Sequence, residues 1–152
     1  MCYNPINFTI YLFHRPMKYI LLFLFMAANT SAVQAQKNNP EQVVQAQLEA
    51  YNSRDIDAFM ATFDANASLW NFGETEPIAA GSDALRAIYQ RVFEQSPNLH
   101  STVINRTVIG TKVIDYEVIV GRISGDQTPL HLVMIYEVKN GKIVKAVAVR
   151  ND

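Results

Sequence analysis

The sequence predicts an α+β fold in which three helices in the N-terminal half pack on one face of a curved antiparallel sheet. Apolar residues recur at helical spacing in three segments between residues 40 and 95. Four segments rich in Val, Ile and Thr follow, over residues 99–109, 113–123, 128–138 and 142–150. Short turn sequences separate these four strands, which favours an antiparallel meander.

The three helices have recognisable starts. Asn39 can cap the first helix, because Pro40 follows it, and this helix runs to about Asn52. Asp55 can cap a short second helix, and Ser82 a third that runs to residue 95.

Two features outside the helices complete the expected topology. Residues 67–72 alternate as a short strand, with Leu69 and Asn71 on one side. Asn140 and Gly141 suit the positive φ angles of a two-residue type I′ turn between the last two strands.

Residues 1–35 are predicted to be a secretory signal peptide. From Met17, which is a possible second translation start, one lysine precedes a short apolar run, and small residues lead to a cleavage site after Ala35. The apolar run is shorter than the ~20 residues that span a bilayer, so we expect no stable membrane insertion after cleavage. An uncleaved anchor is the alternative. The mature protein is expected in the periplasm or outside the cell.

Residues 36–39 are predicted to be a flexible lead-in and residues 40–152 a single domain. The only cysteine, Cys2, is lost with the signal peptide, so neither a disulfide nor a zinc–thiolate site is possible. The mature chain is weakly acidic and has no cluster of Lys or Arg, which argues against a nucleic-acid partner. We expect no metal and no cofactor.

Gln47 interrupts the apolar stripe of the first helix, which Val44, Leu48 and Tyr51 form at i, i+4 and i+7. Burying an unpaired amide costs roughly 1–3 kcal/mol. Gln47 is therefore expected either to bond a strand carbonyl or to face a pocket.

The order of elements, together with VVQAQLEAYNSRDIDAFMATFDANASLW at residues 43–70, resembles the nuclear transport factor 2-like superfamily, in its SnoaL-like and ketosteroid-isomerase-like branch. The helix opening GSDALRAIYQ and the terminal hairpin YEVKNGKIVK add to the resemblance. It implies a cone-shaped sheet with the helices on its concave face and an apolar pocket inside. The fold does not define the function, because the superfamily contains both enzymes and binding proteins.

The resemblance also allows a comparison with the ketosteroid isomerases, which use a carboxylate base, a tyrosine and a protonated aspartic acid. Alignment of the motifs places Gln47 at the tyrosine, Asn71 at the base and Met134 at the protonated acid. An amide cannot accept a proton at neutral pH and methionine has no donor, so steroid isomerisation by that mechanism is improbable.

Strand alternation assigns the remaining candidates. If Met134 faces the pocket, so does Tyr136, whereas His131 faces outward. On the preceding strand, the face with Tyr116 is the more apolar one and is expected inside, in a register that pairs Tyr116 with Tyr136 and Val118 with Met134. Its neighbours Asp115 and Glu117 are then expected on the outer face.

Three hypotheses follow. In the first, the protein binds a small hydrophobic molecule without catalysis, since no carboxylate or histidine is expected to face inward. In the second, it is a lyase or isomerase acting on a hydrophobic carbonyl or polyphenolic substrate, with His100 or Asp115 as proton carrier. In the third, it is a structural component of the envelope. The expected pocket residues are Gln47, Tyr51, Asn71, Tyr116, Met134 and Tyr136.

The outer sheet face is expected to carry Ile119, Val133 and Ile135, which is more apolar than a solvated sheet requires. The resemblance implies dimerisation through the same surface. We therefore expect a homodimer.

Overall fold

The computed structural model describes residues 39–122 and 128–150. The predicted signal peptide and residues 36–38 of the lead-in lie outside the described residues, so both stay predictions. Helix α1 spans Pro40–Ser53, α2 spans Ile56–Ala61 and α3 spans Ser82–Gln95. None of these helices is long and apolar enough to cross a bilayer.

Six strands form one curved, unclosed sheet in the order β2-β1-β6-β5-β4-β3. Their bounds are Phe63–Asn71 for β1, Ala79–Ala80 for β2, His100–Ile109 for β3, Lys112–Val120 for β4, Leu130–Lys139 for β5 and Lys142–Arg150 for β6. The α+β prediction is confirmed. The sheet is mixed rather than purely antiparallel, because β1 runs parallel to β6. The short strand β2 and the first four residues of β1 were not predicted.

Local hydrogen bonds explain where the helices begin. Asn39 accepts a hydrogen bond from the backbone N–H of Glu41, and Asp55 accepts one from Ala58 N, as expected for these caps. The predicted cap at Ser82 is wrong: Gly81 occupies the cap position and Ser82 is the first helical residue. The caps at Asn39 and Asp55 therefore fix the residues at which α1 and α2 begin.

Aromatic rings fill the space between the helices and the sheet. Phe59, which is fully buried, packs against four other rings with centroid separations from 4.3 to 6.2 Å. These rings belong to Tyr51, Phe63, Tyr89 and Phe93. Because ring pairs at these distances attract one another beyond the area that they bury, the cluster fixes α1, α2 and α3 together.

The register between β4 and β5 corrects the sequence prediction. Met134 pairs with Asp115 rather than Val118, and Tyr116 pairs with Val133 rather than Tyr136. The predicted loop was too short: β4 ends at Val120 and β5 begins only at Leu130. The resulting shift of three residues is odd, and an odd shift exchanges the two faces of a strand.

The exchange changes which side chains of β4 enter the cone. Asp115, Glu117 and Ile119 are buried on the concave side, whereas all three were expected on the outer face. Tyr116 was expected inside and is exposed outside. On β5, the predicted inward positions of Met134 and Tyr136 are confirmed, since both side chains are buried.

Gly121 ends β4 in a conformation that only glycine adopts easily, with φ of +69°. A Cβ atom at this position would lie 2.0 Å from the carbonyl oxygen of Asn98. The residue after β4 therefore passes directly against the chain that leads into β3.

We predict that Gly121→Ala lowers the free energy of unfolding by about 2–4 kcal/mol, because it combines a strained φ with an overlap against backbone. Gly110→Ala is the matched control: Gly110 also has a positive φ, but nothing lies within 4 Å of its Cβ position. This control should cost only about 1 kcal/mol. Urea unfolding of both variants measures the difference, and equal losses would contradict the prediction.

Candidate functional site

A cavity of about 180 Å³ lies between α1, α3 and the concave face of the sheet. Most of its wall is apolar. Its polar groups are one amide, three tyrosines, one carboxyl and two guanidinium groups. The lining residues are Gln47, Leu48, Tyr51, Leu69, Ile78, Ile88, Tyr89, Val92, Glu117, Ile119, Arg122, Leu130, Leu132, Met134, Tyr136, Ala148 and Arg150.

Glu117 is the carboxyl in this wall, and only 5% of the residue is exposed. The Ser101 hydroxyl on β3 donates to one carboxylate oxygen at 2.7 Å. The Tyr136 hydroxyl on β5 donates to the other at 3.2 Å. Both oxygens of Glu117 thus have a neutral donor, and no cation forms an ion pair with them among the described residues.

Burial is the strongest influence on Glu117, and it raises the pKa of the carboxyl above its ordinary value. The hydrogen bond from Ser101 opposes this rise, and the nearby Asp115 carboxyl adds to it. Smaller effects of Tyr136 and Arg106 lower the pKa. A carboxyl with a raised pKa can exchange its proton closer to neutral pH, as a general acid or base requires.

Asp115, two residues before Glu117, is engaged differently. Arg106 on β3 binds both of its carboxylate oxygens, at 2.7 and 2.6 Å, and also donates to Gln45 of α1 at 3.0 Å. The ion pair raises the pKa of the Arg106 guanidinium. Asp115 does not line the cavity. The pair therefore joins α1 to the sheet, and the hypothesis that Asp115 carries protons has no support from this geometry.

Three tyrosine hydroxyls are buried around the cavity. Burial raises the pKa of Tyr89 to about 12, and it raises the pKa values of Tyr51 and Tyr136 as well. In each case the nearby Glu117 adds to the rise. These hydroxyls stay protonated at physiological pH and serve the cavity as neutral hydrogen-bond donors and acceptors.

Asn52, at the end of α1, fixes the position of Ser101. Its amide donates to the carbonyl oxygen of Ser101 at 2.9 Å and accepts from the backbone N–H of Ser101 at 2.7 Å. Because Ser101 in turn donates to Glu117, the end of α1 helps to orient the carboxyl.

The structure brings together four of the six predicted pocket residues: Gln47, Tyr51, Met134 and Tyr136 line the cavity. Their role in ligand binding stays a prediction. The Gln47 side chain is buried, and it makes no hydrogen bond to another residue in the described part of the chain. The amide therefore faces the cavity without a strand carbonyl as partner.

The other predicted residues lie elsewhere. Asn71 does not line the cavity, although its buried side-chain oxygen has no hydrogen-bond partner among the described residues. Tyr116 lies on the opposite face of the sheet, where its hydroxyl is 2.8 Å from Nδ1 of His131. The expectation that Tyr116 helps to form the pocket is wrong, because the register of β4 against β5 places Tyr116 on the outer face. His100 is exposed at the start of β3 and does not line the cavity.

Sequence reasoning missed four polar residues at the site: Ser101, Glu117, Arg122 and Arg150. The turn between β3 and β4 indicates their register but not which face of β4 turns inward. The two-residue turn Gly110-Thr111 sets Arg106 opposite Asp115, and such a pair on the concave face brings Glu117 inward too. The opposite face of β4, which carries Tyr116, is the more apolar one, and it was therefore expected inside.

Residues 44–146 match the sequence profile of the SnoaL-like domain family. The chain belongs to this family. No curated protein matches the chain. Within the described residues, no group of three or more His, Cys, Asp or Glu side chains is arranged to hold a metal ion.

Solved structures show the same fold at low sequence identity. An uncharacterized cystatin fold protein from Novosphingobium aromaticivorans superposes with a TM-score of 0.67 at 20% identity, covering 73% of this chain and 97% of that one. A putative polyketide cyclase from Sinorhizobium meliloti gives 0.60 at 21%, covering 70% and 93%. An epoxide hydrolase of the LEH-like type from Mycobacterium tuberculosis gives 0.64 at 15%, covering 78% and 84%.

The raised pKa of Glu117 predicts how stability depends on pH. A carboxyl whose pKa is higher in the folded than in the unfolded state binds more protons when folded, so stability falls as pH rises between the two values. Glu117→Gln removes this loss, which amounts to about 1.4 kcal/mol for each pH unit that separates the two pKa values.

We predict that Glu117→Gln gains stability relative to the wild type as pH rises from about 4 to about 8. Glu94→Gln, at an exposed position of α3, is the control and should follow the wild-type curve. Urea unfolding across this range is the measurement. A difference between Glu117→Gln and wild type that does not change with pH would contradict the prediction.

Proposed function

We propose that this SnoaL-like protein is an enzyme that uses Glu117 to move a proton on a small, mostly apolar molecule held in the cavity. The observation that carries the proposal is a buried carboxyl in the cavity wall with a hydrogen-bond donor on each oxygen. The hypothesis of binding without catalysis assumed that no carboxylate faces inward, and Glu117 removes that assumption.

Fold stability alone does not account for a glutamate at position 117. An ionised carboxyl without a cationic partner is costly to bury, and an apolar side chain of similar volume would pack without that cost. Asp115 illustrates the contrast, since Arg106 neutralises it. A destabilising, pKa-shifted group inside a cavity is typical of active sites.

Glu117 and Tyr136 together support acid–base chemistry of the isomerase or lyase type. The ionised carboxyl can accept a proton from a carbon or oxygen of the ligand, and the protonated carboxyl can return it to another atom. The Tyr136 hydroxyl donates to Glu117 and stabilises the ionised form, so it tunes the base rather than replacing it.

The size of the cavity limits the substrate. A cavity of about 150 Å³ can hold benzene, and typical drug-sized pockets measure about 300–1,000 Å³. The 180 Å³ found here therefore suits a molecule of about one ring, such as a cyclic ketone, rather than a steroid or a polyphenol. The fold neighbours described as a putative polyketide cyclase and an epoxide hydrolase illustrate that enzymes use this architecture.

The proposal predicts catalysed proton transfer on one-ring ketones and enones. The assay follows conversion of 3-cyclohexenone into its conjugated isomer, together with solvent deuterium incorporation into a panel of cyclic ketones. Glu117→Gln should lower kcat/KM by at least about 100-fold. The rate should rise with pH through the raised pKa of Glu117, because the base must be ionised.

Glu94→Gln is the matched control, since it makes the same chemical change outside the cavity, and it should retain the wild-type rate. The proposal fails if Glu117→Gln is as active as the wild type, or if the wild type accelerates exchange in no member of the panel.

We also propose a homodimer formed through the outer face of the sheet. In the observed register, the outer face is more apolar than the outer face expected from the sequence. Tyr116 and Val120 on this face are 39% and 40% exposed. Its other apolar residues include Ile114, Val118, Val133, Ile135, Val147 and Val149. Such a face favours association in water.

Sedimentation velocity at tens of micromolar should show a dimer, and Val118→Glu should shift it to monomer because a charge would be buried in the contact. Glu94→Lys, on the helical side, should leave the dimer intact. A wild-type monomer at this concentration would contradict the proposal.

A further inference from the structure

We infer that the ligand is a small organic acid, whose carboxylate is bound by Arg122 and Arg150 while its apolar body occupies the cavity. This inference rests on the proposed function, which it extends by naming the class of substrate. Both arginines line the cavity and both are exposed, so they lie where the cavity meets solvent.

Neither arginine is neutralised within the described residues. Arg122 and Arg150 form no ion pair and no hydrogen bond there. Two other arginines are paired: Arg106 binds Asp115 through two hydrogen bonds, and Arg86 pairs with Asp57 at 2.8 Å. Arg91 on α3 is also unpaired within the described residues, but it does not line the cavity. Among residues 39–122 and 128–150, the positive charge and the N–H donors at the cavity entrance therefore have no partner.

Strand register places one of these arginines in line with the acid–base group. Glu117 on β4 pairs with Leu132 on β5, and Leu132 pairs with Arg150 on β6. The three residues form one row across the concave face. Since adjacent strands lie about 4.8 Å apart, the Cα atoms of Glu117 and Arg150 are about 10 Å apart, with an apolar side chain between them.

This row matches a molecule with one charged end. A guanidinium group binds a carboxylate through two parallel hydrogen bonds, which fixes orientation as well as affinity. The apolar surface contributed by Leu130, Leu132 and Ala148 suits the body of the molecule. A carboxylate held at Arg150 keeps that body over Leu132 and directs its far end toward Glu117.

Benzoate and benzamide are the probes, because they have the same ring and differ in charge. Isothermal titration or protein NMR should show that benzoate binds at least about tenfold tighter than benzamide. Arg150→Gln should remove most of that preference, Arg150→Lys should restore part of it, and Arg122→Gln should reduce it. High salt should weaken benzoate binding selectively.

Arg91→Gln, at an exposed position of α3 outside the cavity, is the control and should leave the preference unchanged. Three results would overturn the inference: no saturable benzoate binding at millimolar concentration, equal binding of the two probes, or equal losses in Arg150→Gln and Arg91→Gln.

The two proposals can fail separately. Glu117→Gln should keep the preference for benzoate, because Glu117 does not hold the carboxylate. If the preference depends on Arg150 but Glu117→Gln retains full exchange activity, the acid–base proposal fails and the ligand class stands. If exchange depends on Glu117 but the two probes bind equally, only the ligand class fails.

Discussion

The ion pair between Arg106 and Asp115 holds β4 with Asp115 buried on the concave side of the sheet. Two hydrogen bonds of 2.6 and 2.7 Å hold the buried carboxylate, and a third ties Arg106 to Gln45 on α1. Removing one partner of such a buried pair typically costs about 3–5 kcal/mol, because the other charge is left unpaired. With Asp115 fixed inside, alternation along β4 also places Glu117 inside, and the character of the cavity follows from that.

The two neighbouring carboxyls show how position decides chemistry. Asp115 has a guanidinium partner on both oxygens and cannot serve an entering ligand. Glu117 has only the neutral donors Ser101 and Tyr136 in the described part of the chain, so burial raises its pKa and leaves its proton available. The exposed arginines at the cavity entrance then supply positive charge for a ligand without forming an ion pair with Glu117. The Arg106–Asp115 ion pair, the Glu117 carboxyl and the arginines of the entrance thus occupy separate places on the same side of the sheet.

Much of the fold could be predicted because its signals are local. Helical spacing identified all three helices, and the turn at Asn140-Gly141 has the positive φ angles expected for its type, 52° and 73°. The register of β4 against β5 could not be predicted in the same way, because it depends on the length of the loop that joins them. Either face of β4 could be buried, so the alternation of its residues does not choose between them. The loop is longer than expected, and with the resulting register Glu117 rather than Tyr116 lies in the cavity. The break in the apolar stripe at Gln47 was informative, since Gln47 does line the cavity and has no hydrogen-bond partner among the residues that the structure describes.

Glu117 differs from an ordinary surface carboxylate because it is buried and we assign it an acid–base role. An NMR titration of the ¹³C-labelled side-chain carboxyl of Glu117 tests this difference most directly, in the wild type and in Ser101→Ala. We expect a pKa above the ordinary value of about 4.3 in the wild type, and a further rise in Ser101→Ala, which lacks one donor to the ionised form. A wild-type pKa at or below the ordinary value would contradict this expectation.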